Sequence, residues 1–232
     1  KFTKLKIEFN IIKRIISNGF ASFIVELSSG VVIFAFNMVI LGITGDIGVS
    51  AYSIIANLSL ICTAIFTGVG QAIQPIVSIN YGAQKMNRVY ESIKLAIRTS
   101  LLIGILFYFI GLLFPEFLVS IFSKGNKELM DITVRGIKLY FISFILMGIN
   151  ITITSYIQSK ENARISMIIS LSRGFIFIII SLMILPKLLG IDGVWLTMPV
   201  AELFTIVMYA VSFKDCREAL IHSIKKKYVA SS

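Results

Sequence analysis

Residues 15–41 read IISNGFASFIVELSSGVVIFAFNMVIL, and the class of fold follows from how this stretch is read. It holds one charged residue, Glu26, and no other charge appears before Asp46. A helix that crosses a bilayer needs about 20 apolar residues at ~1.5 Å rise each. Counted from Ile15, Glu26 falls roughly 16 Å in, near the middle of a hydrocarbon core about 30 Å thick. A carboxylate there costs on the order of 3 kcal/mol, so such residues usually face a cavity or a partner.

Outward from this stretch, the whole chain has the composition of an integral membrane protein. Of its 232 residues, 56% are hydrophobic and 15% charged, and the mean hydropathy is +0.90. A soluble domain carries about 25% charge. The net charge of +10 does not indicate nucleic acid, because the basic residues fall in clusters between apolar runs and form no face interleaved with aromatics. Cys62 sits in an apolar run, Cys216 and His222 in a basic tail, so no disulfide framework or metal cluster is visible. The chain opens at Lys1 with no signal peptide, like an internal fragment or a processed product.

Six spans are expected, at about Ile15–Leu41, Ala51–Ile79, Leu95–Phe114 (ended by Pro115), Leu139–Ile157, Ile165–Leu185 (with Pro186 behind it) and Val194–Phe213. The basic residues then divide sixteen to five between the two sides, Arg98 being counted with the loop before the third span, and the one left over is Arg173, inside the fifth span. The excess of Lys and Arg puts both termini in the cytoplasm, and an even number of spans agrees. Residues 1–14 read as a basic amphipathic linker helix on the membrane surface, because Leu5, Phe9, Ile12 and Ile16 share one face. Residues 15–213 form the six-helix lobe, and 214–232 a basic cytoplasmic tail.

Several polar residues lie inside the spans. Arg173 and Glu202 are expected at similar depth on adjacent antiparallel helices, as a buried charge pair. Asn37, Gln71, Gln74 and Asn150 are candidates for the wall of a substrate cavity, and Asn57 is a further amide inside a span. Hydrogen bonding between helices is the simpler explanation for each. The abundant Phe and Met residues suit either a cavity that repacks around varied ligands or a lipid-facing surface.

Gly68–Gln84, GVGQAIQPIVSINYGAQ, is the most specific segment. Gly68 and Gly70 would let another helix approach closely, Pro75 should bend the helix, and Asn80-Tyr81-Gly82 reads as an interfacial end. This segment closely resembles the second helix of the carboxy-terminal half of the multidrug and toxic compound extrusion (MATE) transporters. Leu171-Ser172-Arg173-Gly174, Leu185-Pro186, Gly190-Ile191-Asp192-Gly193-Val194-Trp195 and Pro199-Val200-Ala201-Glu202 resemble the last two helices of the branch that includes the staphylococcal-type exporters.

The resemblance implies an all-α, polytopic fold in which this chain is one six-helix lobe of a twelve-helix transporter in the cell membrane. Its missing partner would be the amino-terminal lobe. It implies antiport of H⁺ or Na⁺ against small organic, cationic compounds by alternating access, with no cofactor and no enzymatic activity. Glu26 matches the acidic residue that cation-binding members carry in this lobe's first helix, and Na⁺ is a candidate ligand there. A second acid found in the fourth helix of some members is missing from Leu139–Ile157. A lipid-linked oligosaccharide flippase is the alternative, although a more cationic cavity would be expected of it. No selectivity-filter sequence, Walker loop or His-Glu-x-x-His motif supports a channel or an enzyme.

Overall fold

In a computed structural model, the backbone is described for residues 9–123, 126–160 and 163–212, and side chains for 27–123, 126–160, 165–209 and 211. Every extended element among them is helical. The helices are α1 (Phe9–Gly82), α2 (Met86–Leu113), α3 (Pro115–Ser120), α4 (Lys127–Tyr140), α5 (Ile142–Ser159), α6 (Ala163–Leu171), a π-helical turn (Ser172–Ile176), α7 (Phe177–Leu189) and α8 (Ile191–Ser212).

The 74 residues of α1 are two crossings rather than one rod. Gly45 interrupts the helix with φ 66° and ψ −156°, a conformation open essentially to glycine alone. The chain reverses there. Phe36 and Tyr52 stack with ring centroids 5.0 Å apart and planes 4° from parallel, whereas 16 residues of straight helix would separate them by about 24 Å. The arms 9–44 and 46–82 therefore form a hairpin, and the other four crossings are α2, α4 with α5, α6 through α7, and α8.

The order of the six spans agrees with the sequence reading, and several boundaries move. Residues Arg88, Lys94 and Arg98, expected in a loop, lie on α2, which begins at Met86. At about 42 Å, α2 outruns the hydrocarbon core, so charged side chains ride on its projecting end. Arg135 and Lys138, also expected in a loop, belong to α4, which Asn126 caps by accepting from the Leu129 N–H at 3.1 Å. The fourth crossing thus starts near Lys127 and is interrupted at Phe141, within the expected span Leu139–Ile157. Pro186 lies inside α7 rather than behind it, and the helix continues to Leu189 before Gly190 ends it at φ 61°. Proline near a helix end sacrifices little further bonding. Pro115 does stop α2, serving as the first residue of α3.

Packing divides the lobe into two apolar clusters. The larger gathers Phe36, Ile55, Phe66, Phe144 and Trp195, and the smaller Val77, Ile93, Ile153 and Tyr156. Helix α5 lies at the centre, against α1, α2 and α8, while α7 pairs with α8. Gly104 makes the α2–α5 approach close, because a Cβ there would sit 2.5 Å from the Phe144 carbonyl oxygen. Gly70 does the same between the second arm of α1 and α5, 2.3 Å from Ser155 Oγ, whereas Gly68 faces open space. Only one of the two expected glycine contacts exists. Phe34, Leu60, Leu102 and Phe117 point outward with their apolar side chains uncovered, as a lipid-facing surface requires.

Candidate functional site

The polar centre of the lobe is built around Glu202, on the middle of α8. Glu202 is 1% exposed, so every lone pair must find a donor within the protein. Arg173 supplies two: its Nε lies 3.0 Å from both Oε1 and Oε2, and a terminal guanidinium nitrogen lies 3.0 Å from Oε1. Asn150 of α5 supplies the rest, its Nδ2 donating to Oε2 at 2.5 Å and to the Glu202 backbone carbonyl at 3.0 Å. Three crossings thus converge on one carboxylate. The charges cancel inside the bundle, and an unpaired member would typically cost ~3–5 kcal/mol.

Arg173 sits on the π-helical turn, where five residues replace an α-helical stretch between α6 and α7. Such bulges shift the direction of the following side chains and recur at functional sites. Its guanidinium is not sealed: the Arg173 side chain keeps 22% of its surface, against 2% for Glu202. Beneath the triad, the Thr154 hydroxyl donates to the Asn150 backbone carbonyl at 2.8 Å and lies 3.3 Å from the Tyr209 hydroxyl, which also reaches that carbonyl at 3.3 Å. Thr154 and Tyr209 were not singled out from sequence, since a hydroxyl inside an apolar run carries no distinctive spacing. A separate polar contact joins Ser59 and Tyr140 across 3.3 Å.

The remaining candidates fall elsewhere. Asn150 is fully buried and belongs to the Glu202 network rather than to an open surface. Asn37 turns back on its own helix, donating to the Ile33 carbonyl at 3.0 Å, and Asn57 likewise donates to Ser53 at 2.8 Å. Gln74 donates to Gln158 at 3.2 Å, tying α1 to α5, and Gln71 is exposed. At the end of α1, the Lys160 ammonium stands 5.2 Å from the Tyr81 ring and 5.3 Å from the Tyr156 ring, a cation–π arrangement suited to an interface.

Glu26 lies on the first arm of α1, where the backbone is helical, and its side chain is outside those described. The amphipathic face expected over 1–14, and the tail with Cys216 and His222, also lie outside the described side chains. A groove of about 500 Å³ runs between this arm and α7, with Ala35, Val39 and Ile43 on one wall and Ile179, Met183 and Lys187 on the other. Among the described residues no group of three His, Cys, Asp or Glu could hold a metal ion.

The MatE family profile matches residues 22–184. The chain is 23% identical over 167 residues to the multidrug export protein MepA of Staphylococcus aureus, which covers 68% of this chain and 34% of that protein. Its fold is similar to an inward-facing multidrug resistance MATE transporter of the MOP superfamily (TM-score 0.82, 16% identity, 96% of this chain and 51% of that one). It is equally similar to a MOP superfamily transporter from Pyrococcus furiosus whose reverse-polarity binding pocket suggests a different function (TM-score 0.80, 16% identity, 95% and 49%). The chain spans about a third of that curated relative and half of those solved chains. It belongs to the MatE family, whose members are transporters rather than enzymes.

Proposed function

We propose that the chain is the carboxy-terminal lobe of a secondary multidrug antiporter in the cell membrane, exchanging H⁺ or Na⁺ for organic cations by alternating access. In this reading both termini lie in the cytoplasm, with residues 1–14 and 214–232 against the membrane surface. The amino-terminal lobe completes the transport path. The observation that carries the reading is the family match across residues 22–184, which spans the one acidic residue of the first crossing, Glu26.

Glu26 is the coupling residue of this proposal. A carboxyl group held out of water favours its neutral form, so Glu26 can take up a proton or bind Na⁺ and release it when the cavity changes face. The first arm shares a groove with α7, the helix that continues from the turn carrying Arg173. Charge supports cationic cargo: Arg173 is already neutralised by Glu202, and the one other basic residue within the six expected spans, Arg98, is exposed near the start of α2. A flippase-like lobe with a cationic cavity fits that distribution poorly.

The test is Glu26→Gln in the complete transporter, reconstituted in vesicles with separate proton and sodium gradients. Efflux of cationic dyes should fall to background under whichever gradient drives the wild type, with unchanged membrane insertion. Wild-type efflux by the variant would overturn the assignment.

A further inference from the structure

The buried amide of Asn150 exposes a mismatch between acceptors and donors. Its orientation is dictated, because both partners of its Nδ2, the Glu202 backbone carbonyl and carboxylate, can only accept. Turning the amide over would set oxygen against oxygen. Asn150 Oδ1 therefore points away, fully buried and with no donor, a state that ordinarily destabilises a fold. Arg173 reaches only the Glu202 carboxylate, through Nε and one terminal nitrogen.

A guanidinium carries five N–H donors in a rigid planar fork. Tethered to its own helix, Arg173 engages one edge of that fork. We propose that Glu202 and Asn150 form a cradle for a planar guanidinium- or amidinium-type cation, and that Arg173 fills it as a built-in ligand. A free cation of this class can present donors from two edges, satisfying the carboxylate and the orphaned Asn150 oxygen together. Arg173 has a way out. Its side chain is the exposed member of the pair, it rides on the π-helical turn, and next to it a Cβ added at Gly174 would meet nothing within 4 Å. The cradle is a second cation subsite of the lobe, separate from Glu26, and the inference stands or falls without the coupling role given to that residue.

The experiment uses the protein expressed from its whole reading frame and purified in detergent. Arg173→Ala should lower Tm by roughly 10 °C, the cost of stranding a buried carboxylate. Millimolar methylguanidinium should restore about half of that loss or more, by binding only the folded state. Tetramethylammonium, which has no N–H, and Na⁺ should restore nothing, and Arg173→Ala combined with Glu202→Gln should not respond. No rescue, equal rescue by all three cations, rescue by Na⁺ alone, or rescue that persists in the double variant overturns the proposal. Should Arg173→Ala fail to accumulate in the membrane, yield with methylguanidinium in the growth medium becomes the readout. Recovery of yield supports the cradle, and unchanged yield overturns it.

Discussion

The Nε of Arg173 is equidistant from the two carboxylate oxygens of Glu202, 3.0 Å from each, and this pair ties the π-helical turn to the middle of α8. Asn150 makes it a three-helix junction rather than a simple ion pair. Exchanging the charges, Arg173→Glu with Glu202→Arg, should therefore recover only part of what each single variant loses. The amide of Asn150 must turn over to present Oδ1 to the new arginine, giving up its bond to the backbone carbonyl of residue 202. Single variants should lose ~3–5 kcal/mol, and the double should express better than either. Equal loss of membrane-inserted protein in all three would exclude direct pairing as the main contribution of these residues.

Asn150 itself gives a sharper contrast. Asn150→Asp keeps the shape but replaces a donor with a second buried negative charge facing Glu202, whereas Asn150→Leu removes donor and orphaned acceptor together. Thermal unfolding should rank Asp below Leu, with Leu about 1–3 kcal/mol below wild type. A better-tolerated aspartate would contradict the donor role given to the Asn150 amide.

The apolar runs were enough to locate all six crossings, because a lipid solvent leaves long helices as the ready solution for a single apolar segment. Their ends were less legible, for local physical reasons. Residues 127–140 are charged enough to read as a loop, yet Thr133, Gly136, Ile137 and Tyr140 form one buried stripe at helical spacing. Pro186 reads as a helix end, but a proline so near the terminus costs little. At the site, depth along each helix made Arg173 and Glu202 plausible partners. The rotation of α5 that turns Asn150 onto them depends on packing, including the closeness allowed by Gly104, and no residue spacing encodes it.

Small residues at the helix contacts should show a graded response to alanine. At Gly104 the new methyl would meet backbone, with the Phe144 carbonyl oxygen at 2.5 Å and Ile145 Cα at 3.0 Å, so α2 and α5 must separate. At Gly70 it would meet the Ser155 hydroxyl at 2.3 Å, which can rotate aside, and at Gly68 nothing within 4 Å. Overpacking costs typically ~1–3 kcal/mol. Gly104→Ala should reach that range, Gly70→Ala fall below it, and Gly68→Ala be neutral or slightly stabilising through helix propensity. Tm values of the three variants check the order, and a Gly68→Ala defect as large as that of Gly104→Ala would contradict the helix contacts described.

Arg135 and Asp192 form a second ion pair, joining α4 to the first turn of α8. Its setting is the reverse of the Glu202 junction, for the Arg135 side chain is 69% exposed and open to water and salt. Exposed pairs contribute a median of about 0–1 kcal/mol and are screened as ionic strength rises. Arg135→Gln should thus shift Tm by no more than about 3 °C in low salt, with the difference vanishing near 1 M salt, where the Debye length is ~3 Å. Arg173→Gln, by contrast, should keep its full defect at any NaCl concentration, because Na⁺ cannot replace the N–H donors that the buried Glu202 carboxylate loses. Tm measured for both variants across a salt series separates the two cases. A large, salt-insensitive loss at Arg135 would show that this outer pair is shielded from water and belongs among the lobe's structural junctions.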